Sequence, residues 1–177
     1  MTRTATLDEK CQSIRLLLSD VDGVLTDGRL IYSSSGSEHK EFHVRDGLGV
    51  KIWRSCGFQF GLVTARESPV VERRSEEMGS DYLLQSRPQK LEAVKELASQ
   101  HKYELSEIAY VGDDLHDLSA VSNVGLGLTV SDAVAEVKEA ADWVTTNPGG
   151  KGALREIIQM LLTSKGQWAD AIKEFSG

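Results

Sequence analysis

A chain of 177 residues, 40% apolar and 27% charged, is long enough for one domain with a real core and has ordinary globular composition. Its net charge of −7 disfavours nucleic acid as a main partner, since phosphate backbones require a basic face, but it allows a local patch that holds a small phosphorylated ligand. Two distant cysteines, Cys11 and Cys56, with no C-x-x-C pair, exclude a zinc ribbon, a thioredoxin-type motif and a disulfide scaffold.

In chain order, residues 6–13 read as a short polar helix and 14–19 as a strand. Residues 30–32 and 41–44 read as two short strands around the turn-rich 33–37, which predicts a β-hairpin over about 28–44. A helix is expected to open at Asp46-Gly47 and end near Cys56-Gly57, followed by a buried strand over 58–63. Ser68-Pro69, a capping residue before proline, opens a helix that stops at Gly79. A strand over 81–84 and an amphipathic helix over 89–102 come next, with Leu91, Val94, Leu97 and Ala98 on one face. The rest reads as strand 108–111, helix 115–121, strand 124–130, helix 134–141, strand 143–145, loop 147–152, helix 153–162 and a tail over about 163–177. Strands alternate with helices throughout, so the expected class is α/β, one domain built on a doubly wound parallel sheet. No apolar run is long enough to span a membrane, and the polar first ten residues lack the apolar segment of a signal peptide. The expected location is the cytoplasm.

Polar residues gather at the ends of three of these strands. Asp20 and Asp22 follow the first, Thr64 and Arg66 the second, and Asp113, Asp114 and Asp117 the third. A parallel sheet brings those loops to one edge, where open α/β sheets bind ligands. Paired carboxylates repel, so the D-x-D spacing calls for a cation or a shared proton. Lys90, at the start of a helix, can reach the same edge.

Such a set meets the needs of phosphate-monoester hydrolysis. Mg²⁺ suits carboxylate oxygens, and Asp20, Asp113 and the backbone carbonyl of Asp22 are the candidate ligands. Asp20 is the candidate nucleophile and Asp22 the candidate acid/base. Thr64 and Lys90 are positioned to hold the phosphoryl group and offset its charge. Of the second acidic cluster, Asp117 is expected to support the loop, with Asp114 open between metal contact and orientation.

These residues, in this order, resemble the four motifs of the haloacid dehalogenase superfamily of phosphatases. The motifs are Asp20-Val21-Asp22-Gly23-Val24, Thr64 after an apolar strand, Lys90, and Gly112-Asp113-Asp114-x-x-Asp117. The finer pattern resembles the 3-deoxy-D-manno-octulosonate 8-phosphate phosphatase family. It includes Thr26-Asp27-Gly28, the run Phe42-His43-Val44-Arg45-Asp46-Gly47-Leu48-Gly49, the run from Arg66 through Arg74, and Gly149-Gly150-Lys151-Gly152. That resemblance implies a fold without a cap domain, a hairpin flap, Mg²⁺ as cofactor and assembly as a homotetramer. It also implies that a neighbouring subunit helps close each active site. The 149–152 loop reads either as a turn capping the last helix or, the favoured reading, as a loop lining a neighbouring site. The implied substrate is an eight-carbon sugar-acid phosphate. A sister group acts on nine-carbon sialic-acid-type 9-phosphates and lacks the counterparts of His43, Arg45 and Arg66, which this chain keeps. Arg66 and Arg74 are the expected contacts of the sugar-acid carboxylate, with Asp46 and Gly47 beside them and His43 in support. Ala65 stands where the family often has glycine.

Two other classes fit these residues less well. A signalling receiver domain also gathers aspartates, a threonine and a lysine, but its lysine comes last, whereas Lys90 precedes Asp113. A non-catalytic module of the same superfamily would be expected to have lost a motif residue.

Overall fold

The computed structural model describes residues 5–175; residues 1–4 and the last two residues of the expected tail lie outside that range. Its centre is a six-stranded parallel sheet. The strands are β1 (Leu16–Ser19), β4 (Gln59–Val63), β5 (Tyr82–Leu84), β6 (Ile108–Gly112), β7 (Leu126–Thr129) and β8 (Trp143–Val144). They lie in the order β5-β4-β1-β6-β7-β8. β1 pairs with β4 on one side and β6 on the other, with Ser19 opposite Leu62 and Val111. Successive strands therefore build outward in both directions from β1, and its carboxyl end is the topological switch point where such sheets form a crevice.

Alternate residues of the strands feed two cores. Leu17, Phe60, Leu62, Val111 and Leu128 pack with α1 (Leu7–Ser13), α2 (Val44–Ser55), α3 (Pro69–Met78) and α7 (Ala153–Ser164). Leu16, Leu18, Val63, Ile108 and Tyr110 pack with α4 (Lys90–His101), α5 (Leu118–Asn123) and α6 (Ala135–Ala140). Burial of both faces explains why the strands read as continuous apolar runs. A short α8 (Trp168–Ala171) follows α7, and Trp168 and Ala171 pack on the first core. The first helix is capped at its start: Thr6 and Glu9 form a reciprocal capping box. Among the described residues no helix is long and apolar enough to cross a membrane.

Three expected elements differ. The hairpin joins β2 (Ile31–Tyr32) to β3 (Glu38–His39), not to residues 41–44. Its turn closes where Ser33 N donates to Ser37 O, so the pairing register falls on Glu38 and His39. α2 opens at Val44 rather than at Asp46-Gly47, because His43 is its cap and accepts from Arg45 N through Nδ1. α5 starts at Leu118 rather than 115, because residues 113–117 wrap around the Asp117 carboxylate. Ser68 caps α3 in backbone conformation only; its hydroxyl donates to Glu38 Oε2 at 2.6 Å instead.

Candidate active site

The loops at the carboxyl ends of β1, β4 and β6 enclose a cleft of about 360 Å³ lined by Asp20, Asp22, Thr64, Arg66, Lys90 and Asp113, among others. Asp20 continues the β1 ladder, its N–H donating to Val111 O. Its Oδ1 accepts from Lys90 Nζ at 2.6 Å and from Val21 N at 2.7 Å. Lys90 is 1% exposed, and its second bond goes to Val63 O at 2.7 Å. A buried ammonium is stable only when paired this closely. The amphipathic pattern of α4 places Lys90 at the helix's first position, with Ala93, Val94 and Leu97 anchoring that end on the sheet.

Asp113 completes the acidic group. Ligand atoms of Asp20, Asp113 and Asp117 all lie within 4.8 Å of one another. Asp117 is spoken for: Oδ1 accepts from Tyr110 Oη at 2.6 Å and Oδ2 from Asp113 N at 3.1 Å. Asp113 Oδ1, by contrast, is buried with no hydrogen-bond partner. Burial, reinforced by Asp117, raises the Asp20 carboxyl to about 7 against the opposing pull of Lys90. Burial, then the charges of Asp20, Asp117 and Asp114, raise Asp113 to about 8. Asp20 and Asp113 are ionised together only when further positive charge joins Lys90 at the site. Gly23, at φ +95°, leaves room for this cluster, since a Cβ there would come within 2.0 Å of Asp113 Oδ2. An orphaned buried carboxylate oxygen among hard oxygen donors fits Mg²⁺.

Asp22 stands at the mouth, with Lys40 Nζ hydrogen bonded to its Oδ1. Thr64 is buried, and its Oγ1 accepts from Arg66 N at 3.2 Å, so its proton is free to be donated into the cleft. Arg66 reaches the hairpin through Nη2, which donates to Glu38 Oε1 at 2.8 Å and Tyr32 Oη at 2.9 Å. The hairpin thus lies beside the cleft as a flap tied to the β4–α3 connection. Asp114 is exposed at the cleft, and its Oδ1 accepts from Leu115 N at 2.7 Å.

Four expected substrate-site residues do not line this cleft. Asp46 is 1% exposed, and its Oδ1 accepts from Arg155 N at 2.8 Å, tying α2 to the start of α7. Arg74 lies over the Phe42 ring, and its Nη2 donates to His43 O at 3.1 Å. Gly47 makes room for that guanidinium: a Cβ there would meet Arg74 Nη2 at 2.8 Å. His43 caps α2. Together these residues fasten α2, α3 and α7 to one another. The 149–152 loop packs within its own subunit. A Cβ at Gly149 would meet Gly23 O at 1.8 Å, and Gly150 N donates to Val24 O, so it buttresses the turn after Asp22. Lys40, Glu38 and His116 were not anticipated at the site. Lys40 and Glu38 lie in polar sequence without periodicity, and His116 lines the cleft from the loop after β6.

A haloacid dehalogenase-like hydrolase family model matches residues 77–157. The 3-deoxy-D-manno-octulosonate 8-phosphate phosphatase of Haemophilus influenzae is 38% identical over 161 residues, covering 91% of this chain and 89% of that protein. The structure of the corresponding phosphatase from Moraxella catarrhalis, in complex with magnesium ion, phosphate ion and KDO, superposes with a TM-score of 0.93. It is 38% identical, with coverage of 95% of this chain and 97% of that one. The cobalt-bound Haemophilus influenzae enzyme gives a TM-score of 0.87 at 38% identity, over 92% of this chain and 98% of that one. On sequence and fold together, this chain belongs to the haloacid dehalogenase-like hydrolases and, within them, to the 3-deoxy-D-manno-octulosonate 8-phosphate phosphatase family.

Proposed function

We propose that the protein is a Mg²⁺-dependent phosphatase that converts 3-deoxy-D-manno-octulosonate 8-phosphate to the free sugar acid and phosphate. The observation that carries this reading is the buried Lys90–Asp20 pair beside the unpartnered Asp113 oxygen at the sheet's switch point.

Asp20 attacks phosphorus and becomes an aspartyl-phosphate. Asp22 gives its proton to the departing sugar oxygen, then takes one from the water that hydrolyses the aspartyl-phosphate, so phosphate leaves and Asp20 is restored. Thr64 Oγ1 donates to a phosphoryl oxygen. Lys90 holds Asp20 in place and lowers the cost of bringing an anionic nucleophile to an anionic ester. Asp20, Asp113 and the Asp22 main-chain carbonyl are the assigned Mg²⁺ ligands, and the ion supplies charge neutralisation on the phosphoryl oxygens. Arg66 is assigned to the substrate carboxylate; that its guanidinium already carries the Glu38 carboxylate supports this.

The same reading includes a homotetramer. Leu30, Ile31 and Tyr32 on the hairpin, with Val44 and Leu48 on α2, are exposed and apolar, which supports self-association through that side. The test is phosphate release with and without Mg²⁺ from the eight-carbon and nine-carbon sugar-acid phosphates, compared as kcat/KM. The expected result is Mg²⁺-dependent turnover that favours the eight-carbon ester. Preference for the nine-carbon ester would reassign the substrate, and no turnover of either would end the enzyme reading.

A further inference from the structure

Lys40 follows β3 by one residue, and its side chain is 1% exposed. Its ammonium is hydrogen bonded to Asp22 Oδ1 and lies 3.5 Å from Glu38 Oε1. Removing a lysine charge from water costs several kcal/mol that only close carboxylates offset. The hairpin has other means of docking. Glu38 already accepts from Arg66 Nη2 and Ser68 Oγ, and Arg66 Nη2 also donates to Tyr32 Oη. None of those bonds involves Lys40. What Lys40 adds is a grip on one oxygen of the Asp22 carboxyl.

Without that grip the Asp22 carboxyl can turn about two side-chain bonds. Its other oxygen, Oδ2, is 3.9 Å from Arg66 Nε, beyond hydrogen-bond distance. Fixing Oδ1 therefore sets the direction of Oδ2 as well. Proton transfer in the transition state depends on such alignment, and a 1 Å error can cost about 100-fold.

We propose that Lys40 is a positioning residue for Asp22. It makes the seated hairpin a condition for proton delivery to the leaving oxygen. The inference rests on Asp22 being the acid/base, as proposed above.

The test uses two esters that differ in leaving group and carry no sugar or carboxylate. 4-Nitrophenyl phosphate expels a stabilised phenolate, whereas phenyl phosphate depends more on a proton from the enzyme. kcat/KM reports only the steps through expulsion of the phenol, so it is blind to hydrolysis of the aspartyl-phosphate. The ratio of the two kcat/KM values is also independent of how much of a variant is folded. For Asp22→Asn and for Lys40→Met, the expected result is a loss about tenfold larger on phenyl phosphate than on 4-nitrophenyl phosphate. Lys40→Arg is expected to fall between Lys40→Met and the native enzyme. A selective loss in Asp22→Asn with an equal loss on both esters in Lys40→Met would overturn the proposal and leave Lys40 a hairpin anchor. An equal loss on both esters in Asp22→Asn would overturn the acid/base reading and this inference with it. Should Lys40→Met yield no folded protein, Lys40→Arg decides by the same criterion.

Discussion

Replacing Asp46 by asparagine isolates one buried charge. Asp46 is 1% exposed; Oδ1 accepts from Arg155 N, but Oδ2 is buried with no partner. Burial raises its carboxyl from 3.8 to about 6, against the lowering influence of the Arg155 N–H and the nearby His43, Arg74 and Arg155 charges. The folded state therefore holds this proton more tightly than the unfolded chain does. Between pH 4 and 6 the native protein binds more protons than the unfolded one, so stability contributed here falls as pH rises. The gap of about two pH units, at 1.36 kcal/mol each, corresponds to about 3 kcal/mol, fully lost by pH 7. Asparagine keeps the acceptor for Arg155 N and cannot ionise. The Asp46→Asn variant should therefore gain about 2 kcal/mol on the native protein between pH 4 and pH 7. Urea unfolding of both proteins at half-unit pH steps reads this difference, and subtraction cancels every other titrating group. A difference that stays flat across the range, or grows in the native protein's favour with pH, would refute the assignment of Asp46 as an uncompensated buried carboxylate.

Other substitutions probe the chemistry and the frame. Asp20→Asn should cut turnover by at least about 10³-fold while leaving the circular dichroism spectrum unchanged, since the amide keeps an acceptor for Lys90 but is no nucleophile. Retained turnover would remove Asp20 from that role. Gly23→Ala should weaken Mg²⁺ binding by at least about tenfold in a calorimetric titration, because its Cβ would fall 2.0 Å from Asp113 Oδ2 at a φ of +95°. Native affinity in that variant would mean that the Asp113 cradle is not the cation site. Trp53→Ala should cost about 3–5 kcal/mol in urea unfolding, because it empties a fully buried site, breaks a stack on Phe58 and frees the Gln59 carbonyl.

Sequence and structure agree best where one pattern serves both burial and chemistry. An apolar run that ends in D-x-D reads as a buried strand with carboxylates at its tip, and β1 with Asp20 and Asp22 is that object. The same holds for Thr64 after β4 and Asp113 after β6. The hairpin was legible in its turn but not in its second strand. Glu38 and His39 carry little strand propensity, and the closing bond from Ser33 to Ser37 sets their pairing. Asp46 and Arg74 show the opposite limit. A buried aspartate that clamps two helices and one that meets a ligand look alike in a sequence, because burial is a property of what packs over the residue.

By itself, then, the sequence determined the doubly wound class, the three strand ends that line the cleft, and that Asp20, Thr64, Lys90 and Asp113 meet there. Those follow from short-range patterns: period, capping and the abrupt change from apolar to acidic. Only the tertiary structure decided which charges face one another. It set Lys90 between Asp20 and Val63, left one Asp113 oxygen without a partner, withdrew Asp46 and Arg74 into a helix clamp, and brought Lys40 across 18 residues to Asp22. The physical reason is that an ion pair's worth depends on distance and on exclusion of water. Both are fixed by how the hairpin and helices pack over the sheet edge.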